Sequence, residues 1–548
     1  MIWHFNNTTI RNPGRYLEAL RAYDEYGHIS GLFERGNVET HKELYNLILD
    51  AGLIKSDVRD NDWNGRKWRL GFYELGLISY KTPNKEEQGK ITKTGRALLD
   101  AANDAELQDV YLRIIYNLEM RKKKMSFRPV TLILKVMKLL REAGLRESIN
   151  QKEFSVSIQD YRPELTPNDY FNEIVEFRNN VELNKGNLKN FYQKSFEDVH
   201  KRNGGKPSIK TISKEYPDVT FRFLKLSGLF RTEGSKLILN SQYDKLLDVL
   251  SEDEDISESE ESYYYKIANL PELPIDINRD ILEAIVKENF EALETTPSDI
   301  KKLNSEDLRY LRINQEDELR KRTEETFAFE QRNKVSTIAS WFECLMTKKS
   351  KDEFIEGEFI SFKSDERPQY LEWIVWRAFL AINNLSNKPY EARKFPLDSE
   401  LKPTSHAPSR GPDLLMEFDD FTLVVEVTWT ASSRQVAAEG EPVIRHVAQV
   451  AANSEKPTYC LFIAPEIDMN TVQHYRVHDT WFLEDNLEQV ANVIPISLEE
   501  FINFFINIPK AQKDSIDKIH SILKDCTLNK KNLKSAEWKE FISKNFAA

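Results

Sequence analysis

Asp413 follows Pro412 and stands thirteen residues before Glu426, with Glu372 upstream and Glu439 downstream of the pair. Aspartate and glutamate oxygens are hard donors. Asp413 and Glu426, with a third carboxylate from Glu372 and a backbone carbonyl near Val427, suit a hard cation such as Mg2+. A cation held in this way lowers the pKa of its water and stabilises charge developing on a phosphate during in-line attack. The chemistry to which these residues point is phosphodiester hydrolysis.

The elements that must position them are short. Gly411 to Phe418, the Asp419-Asp420 turn and Phe421 to Thr430 read as a β-hairpin. Alternation along its second strand puts Glu426 and Thr428 on one face and Val425 and Val427 in the core, with Asp413 across the hairpin. Leu371 to Ile382 is helix-patterned and largely apolar, so Glu372 would be costly to bury unless it met a cation. Pro442 suits the first turn of a helix, and Val443 to Asn453 keep the helical period. His446 then falls about one turn in, beside Arg445 or Gln449. Thr458 to Ala464 reads as a strand, and Val493 to Ile496 lead to a helix from Ser497. Helix, hairpin, helix and strand around a buried sheet make an α/β core.

The whole chain, at 548 residues, is too long for one hydrophobic core. No apolar run reaches the roughly 20 residues that span a bilayer, and Trp3, His4 and several asparagines stand where an export signal needs a basic start and an apolar stretch. Cys344, Cys460 and Cys526 form no paired motif and suit a reducing cytoplasm, the expected location. His474 and His478 lack the glutamate and third ligand of a zinc site. Net charge is -12, yet residues 1–250 hold 41 Lys and Arg against 34 Asp and Glu, leaving 36 against 55 for the rest. A basic front followed by an acidic rear fits a DNA-contacting region ahead of a region that does something else.

Two front segments share one order: helix, glycine, hairpin, helix. Arg66 to Leu75 run into Gly76, a hairpin ending at Lys90 to Thr92, and a helix from Gly95; Val219 to Leu226 run into Gly228, the Glu233-Gly234 turn, the strand Lys236 to Leu239, and a helix from Tyr243. This is the order of a winged helix. Arg66, Lys67 and Arg69 on one helix, Lys210, Lys214 and Arg222 around the other, and the cluster Arg121, Lys122, Lys123 and Lys124 are the candidate DNA contacts. The acidic, serine-rich run Ser251 to Ser262 reads as a linker, and Ile281 to Phe329 as a helical spacer. The expected organisation is multidomain α+β: winged-helix-like DNA-recognition units over 1–135 and 136–250, an acidic and helical linker over 251–340, and an α/β nuclease core over 341–548.

The Pro412-Asp413 pair before Glu426 resembles the PD-(D/E)XK nuclease motif. Leu371-Glu372-Trp373 with Trp376, Glu426-Val427-Thr428, Glu439 to His446 and Tyr459 to Glu466 together resemble the AlwI and BstNBI group of type IIS restriction and nicking endonucleases. The resemblance implies that Glu372, Asp413 and Glu426 hold Mg2+ and that Glu439 and His446 complete the site. Thr428 stands where the general motif has lysine. His446, then Lys402, are the candidates for that lysine's role. So read, the front binds an asymmetric site in double-stranded DNA, and the C-terminal nuclease cuts to one side. One such site attacks one phosphodiester at a time, so double-strand cleavage calls for a transient homodimer through the nuclease domain. The alternatives are a DNA-binding regulator with an inactive nuclease-like core, and a strand-specific nicking or repair nuclease.

Overall fold

A computed structural model describes the chain apart from residues 7, 30, 33–36, 55–57, 81–87, 123–124, 253–254, 297–298, 348–352, 363, 365, 383–384, 409–410, 433, 483–487, 511–512 and 548. It is a mixed α and β protein in two compact units: Met1–Leu319 with Asp398–Glu400, and Arg320–Leu397 with Leu401–Ala548. The boundary falls inside one helix, Ser305–Glu330. Among the described residues no helix is long and apolar enough to cross a membrane.

In the first unit one hydrophobic cluster runs from Trp3 to Ile275, so the two expected front segments share a core. The helix Asp62–Glu74 begins on Asn61, whose side chain accepts from the Asn64 amide. It buries Gly65, Trp68, Gly71 and Phe72. A Cβ at Gly65 would stand 1.8 Å from the His41 carbonyl oxygen, and one at Gly71 would stand 2.2 Å from the Tyr16 ring. Glycine is what lets this helix lie so close to its neighbours. Gly76 then turns the chain at φ +67, where a side chain would be strained. Among the described residues, Ile78 and Ile91 form an isolated antiparallel bridge, and backbone hydrogen bonds from Ser79 to Lys90, from Gly89 to Ser79 and from Thr92 to Leu77 flank it, so the expected strand Lys90 to Thr92 is a short ladder; residues 81–87 lie outside the described residues. The helix Lys93–Asp100 follows.

The second segment is more complete. Helix Tyr216–Leu226, Gly228 at φ +71 and the antiparallel strands Phe230–Glu233 and Lys236–Leu239 follow in the expected order, and Ser148–Asn150 adds a third strand beside Lys236–Leu239. The expected linker, in contrast, is not free. The Ser257 amide and hydroxyl donate to Glu119 at 3.0 and 2.8 Å, and the helix Glu260–Ala268 puts Tyr263 and Ile267 into the core. The acidic run is tethered because Glu119, Arg121 and Arg128 offer partners that composition alone does not reveal.

A buried ion cluster closes this unit. Asp109 receives Arg113 at 2.6 Å and also Arg312, while Arg113 reaches Asp276 at 2.6 Å. The expected spacer helix is therefore fixed at its N-terminal half.

The second unit is built on a four-stranded sheet ordered Asn492–Ser497, Thr458–Ala464, Thr422–Val427, Leu414–Glu417. The first three strands are parallel and the last is antiparallel. Leu423 and Val425 join a large core on one face of the sheet. Val424 joins Val443, Ile444 and Val447 on the other, under the helix Arg434–Ala452. That helix begins eight residues earlier than expected and carries Pro442 inside it. The buried Gln435 side chain holds the early start, donating to the carbonyls of Thr430 at 2.7 Å and Glu466 at 2.9 Å. The strand ends at Val427 rather than Thr430. Across the sheet, Arg377 in the buried helix Arg367–Ile382 donates to both Glu358 oxygens at 2.6 and 2.9 Å and to Gln331 at 2.7 Å.

Replacing Asp109 with Asn removes the carboxylate that two buried guanidiniums share, leaving Arg113 paired with Asp276 and Arg312 with Glu316, and should cost about 3–5 kcal/mol in urea unfolding. Burial alone would raise the Asp109 carboxyl, but Arg312 and Arg113 outweigh it and hold the group down at about 2. Wild-type stability from this group is present above the ordinary carboxylate range and is lost as pH falls toward 2. Asp109→Asn should lack that acid limb; an unchanged midpoint at pH 7 would show that the cluster contributes nothing.

Candidate active site

The register of the hairpin pairs Leu414 with Val425, so Asp413, one step before, comes opposite Glu426. The Val427 amide donates to Asp413 Oδ2 at 2.7 Å, which fixes the aspartate against the strand that carries Glu426. Glu439 and His446 lie seven residues apart on the helix Arg434–Ala452 and so share a face. His446 donates from Nδ1 to Glu426 Oε1 at 2.9 Å, and the Thr428 hydroxyl donates to Glu439 Oε1 at 2.8 Å. Four of the predicted positions, together with Thr428, are thereby drawn into one place.

Glu372 comes from the buried helix and is 5% exposed. His406 Nδ1 donates to its Oε1 at 2.8 Å and the Ala407 amide to its Oε2 at 3.0 Å. An imidazole and a backbone amide thus offset part of the cost of its burial. His406 was not legible in the sequence, because it sits in the aperiodic stretch Pro403 to Pro408.

The electrostatics tie the cluster together. Burial first, then the charges of Glu372 and Glu426, push the Asp413 carboxyl well above the usual range, against the Val427 amide, which lowers it. Burial, then Glu439 and Glu372, push Glu426 up as well, while the Arg445 guanidinium pulls it down. The field extends to the buried Cys460 thiol, raised by burial and then by Glu426 and Asp413. The Tyr475 hydroxyl donates to the Glu439 carbonyl at 3.2 Å and closes the far side. Cys460 and Tyr475 were missed as part of this surrounding, since only the packed fold brings them near, whereas Arg445 was expected beside His446.

Among the described residues no three His, Cys, Asp or Glu side chains form a finished metal cage. The donor chemistry nevertheless fits a hard divalent ion: oxygen ligands only, enclosed, and raising one another's affinity for positive charge. Lys402 acts on Glu358. At the rim, the Arg367 guanidinium lies 4.3 Å over the Trp429 ring, one residue beyond Thr428.

The predicted DNA contacts are scattered by comparison. Arg66, Lys210 and Lys214 are exposed, the last two near Glu215, to which Lys210 pairs at 3.4 Å. Lys67 donates to the Thr9 hydroxyl, Arg69 is half-buried, and Arg222 pairs with Asp218 at 3.4 Å. Arg121 is occupied by Glu119 at 2.6 Å and the Ser257 carbonyl at 2.8 Å, so it serves the fold. The Lys122 side chain, Lys123 and Lys124 lie outside the described residues.

Two groups with raised carboxyl pKa make a testable liability. Stability from such groups is fully present below the ordinary carboxylate range and is lost as pH rises through their folded values, so without a bound cation the cluster would oppose folding at neutral pH. In chelator at pH 7, Asp413→Asn should melt above wild type, by roughly 2–4 °C for each kcal/mol of repulsion removed. Added Mg2+ should raise the wild-type melting temperature more than that of the variant. Equal melting curves with and without Mg2+ would show that the cluster binds no cation.

Among curated proteins, none matches this chain. Among solved structures it is similar to the small subunit of the heterodimeric restriction endonuclease R.BspD6I, at 20% identity over 38% of this chain and 97% of that one, with a TM-score of 0.30. It is similar to the BpuJ1 endonuclease binding domain, solved with pyrene- and phenanthrene-modified DNA, at 10% identity over 46% and 90%, with a TM-score of 0.31. It is also similar to the restriction endonuclease FokI, at 12% identity over 94% and 98%, with a TM-score of 0.23. Likenesses this slight assign no residue. The sequence pattern of the AlwI restriction endonuclease matches residues 73–504, which is most of the chain and includes all four carboxylates. The chain belongs to the AlwI restriction endonuclease family.

Proposed function

We propose that this restriction endonuclease is a type IIS enzyme: winged-helix-like segments in the front unit read a short asymmetric duplex site, and a PD-(D/E)XK centre in the second unit hydrolyses phosphodiester bonds at a fixed distance to one side. The observation that carries the reading is the convergence of Asp413 and Glu426 with Glu372 and Glu439, two of these carboxyls pushed up by burial and by the others' charge. Asp413, Glu426 and Glu372 would hold Mg2+, which when bound supplies an acidified water and neutralises charge on the phosphate.

The chain's own side chains keep that centre in order. His446 holds Glu426 through Nδ1, and Thr428, in the position of the motif lysine, holds Glu439. His446 remains the proposed substitute for that lysine, able to hold a proton beside Glu426. His406 and the Ala407 amide orient Glu372. The exposed Arg66, Lys210 and Lys214 would meet backbone phosphates or base edges. Two unlike reading segments impose no two-fold symmetry on the site, which favours an asymmetric target and a one-sided cut.

Asp413→Ala or Glu426→Ala should abolish Mg2+-dependent plasmid cleavage and leave specific duplex binding within a few-fold of wild type, as read by gel shift. Cleavage retained by either variant would remove the proposed centre. Sequencing the ends of digested DNA should give one fixed offset from one asymmetric site; scattered ends would favour a repair nuclease instead.

A single centre also predicts nicking by a lone chain. If second-strand cutting recruits another copy through the second unit, the ratio of linear to nicked plasmid should rise with enzyme concentration. Excess Asp413→Ala chain should return the products to nicks. A ratio constant over a hundredfold dilution would mean that one chain cuts both strands.

A further inference from the structure

The helix Asp62–Glu74 has two faces of unlike chemistry. Gly65, Trp68, Gly71 and Phe72 bury one of them. On the other, Trp63, Arg66 and Leu70 follow one another at helical spacing, with Trp63 62% exposed and Leu70 37% exposed. The Lys67 ammonium lies 5.2 Å over the Trp63 ring and is itself tethered to the Thr9 hydroxyl at 2.7 Å. A cation held there keeps the indole on display in a fixed posture.

Arginine charge outweighs that of Asp62, which lies in the first turn of the helix. Burial, then the charges of Arg69 and Arg66, push the neighbouring His41 imidazole down. Glu74, at the far end, has its carboxyl raised to about 7 by burial and offsets little of that charge. A face that sets an arginine between two large apolar side chains is complementary to an anionic surface with an apolar feature on it. In the major groove of DNA the apolar group on a base edge is the thymine C5-methyl, and arginine pairs with the purine edge beside it.

We propose that Trp63 and Leu70 read a thymine C5-methyl group, with Arg66 supplying the adjoining polar contact. The inference rests on the DNA-reading role proposed above and deepens it, by stating what the recognised site contains. It concerns residues that precede the stretch 73–504 matched by the family pattern.

The test uses the full chain and its own recognition site, defined from the ends of its digestion products. Each thymine is replaced in turn by uracil, which removes the methyl and keeps the pairing, and affinity is read by fluorescence anisotropy in chelator. At one position uracil should weaken wild-type binding about fourfold, the value of one buried methyl. Trp63→Ala should bind the thymine duplex more weakly than wild type and should not distinguish the two duplexes at that position, whereas Trp63→Phe should keep part of the discrimination. Trp63 is exposed, so both variants should melt with wild type. If wild type bound every uracil duplex as it binds thymine, or if the Trp63→Ala and uracil losses simply multiplied, the proposal would be overturned. Absence of any duplex binding by the unaltered chain would overturn the DNA reading itself, and this inference with it.

Discussion

Like charges enclosed together set the terms for the second unit. Asp413 and Glu426 sit where burial and two further carboxylates all oppose their ionisation, so everything around them has to resist a cluster that pushes itself apart. The resistance is made of ordinary parts. A backbone amide holds Asp413, an imidazole holds Glu426, and a hydroxyl holds Glu439, each at 2.7 to 2.9 Å. Behind them the Arg377, Glu358 and Gln331 network locks the Glu372 helix, and Gln435 locks the start of the helix that carries Glu439 and His446. Concentrated negative charge is costly to a fold and useful to phosphate chemistry, and the two facts have one origin.

What could be read before folding follows from the range of the interactions. Asp413 and Glu426 were legible because a hairpin has a fixed register and a two-residue period. Glu439 and His446 were found through the family resemblance, although a spacing of seven also puts them on one helical face. His406 and Cys460 reach the site only through tertiary packing, and nothing in their neighbours' periodicity announces them. The early start of the helix around Pro442 has the same cause. Proline marks a favoured first turn, but a fully bonded Gln435 outweighs that local preference. Acidity misled at Ser251 to Ser262, where composition described a free tether and Glu119 supplied an anchor for Ser257.

The front unit divides its basic residues between two duties. Arg113, Arg121 and Arg312 point inward, neutralise buried acids and hold distant stretches of chain together. Arg66, Lys210 and Lys214 remain at the surface. Counting charge along the sequence cannot separate the two groups, since both look like the same basic excess. The surface cations Arg66, Lys210 and Lys214 belong to one compact unit and the carboxylates to the other, so on the proposed reading the former can change without disturbing the latter.

Gly65 and Gly71 have a further consequence. The helix on which they lie is seated so tightly against His41 and Tyr16 that no added carbon fits between them. A side chain at either position would push the helix away from its neighbours. On the DNA-reading role proposed above, a change of target would proceed by exchanging the outward side chains Trp63, Arg66 and Leu70 while Gly65 and Gly71 stay as they are, so that retargeting becomes a combinatorial problem of a few positions.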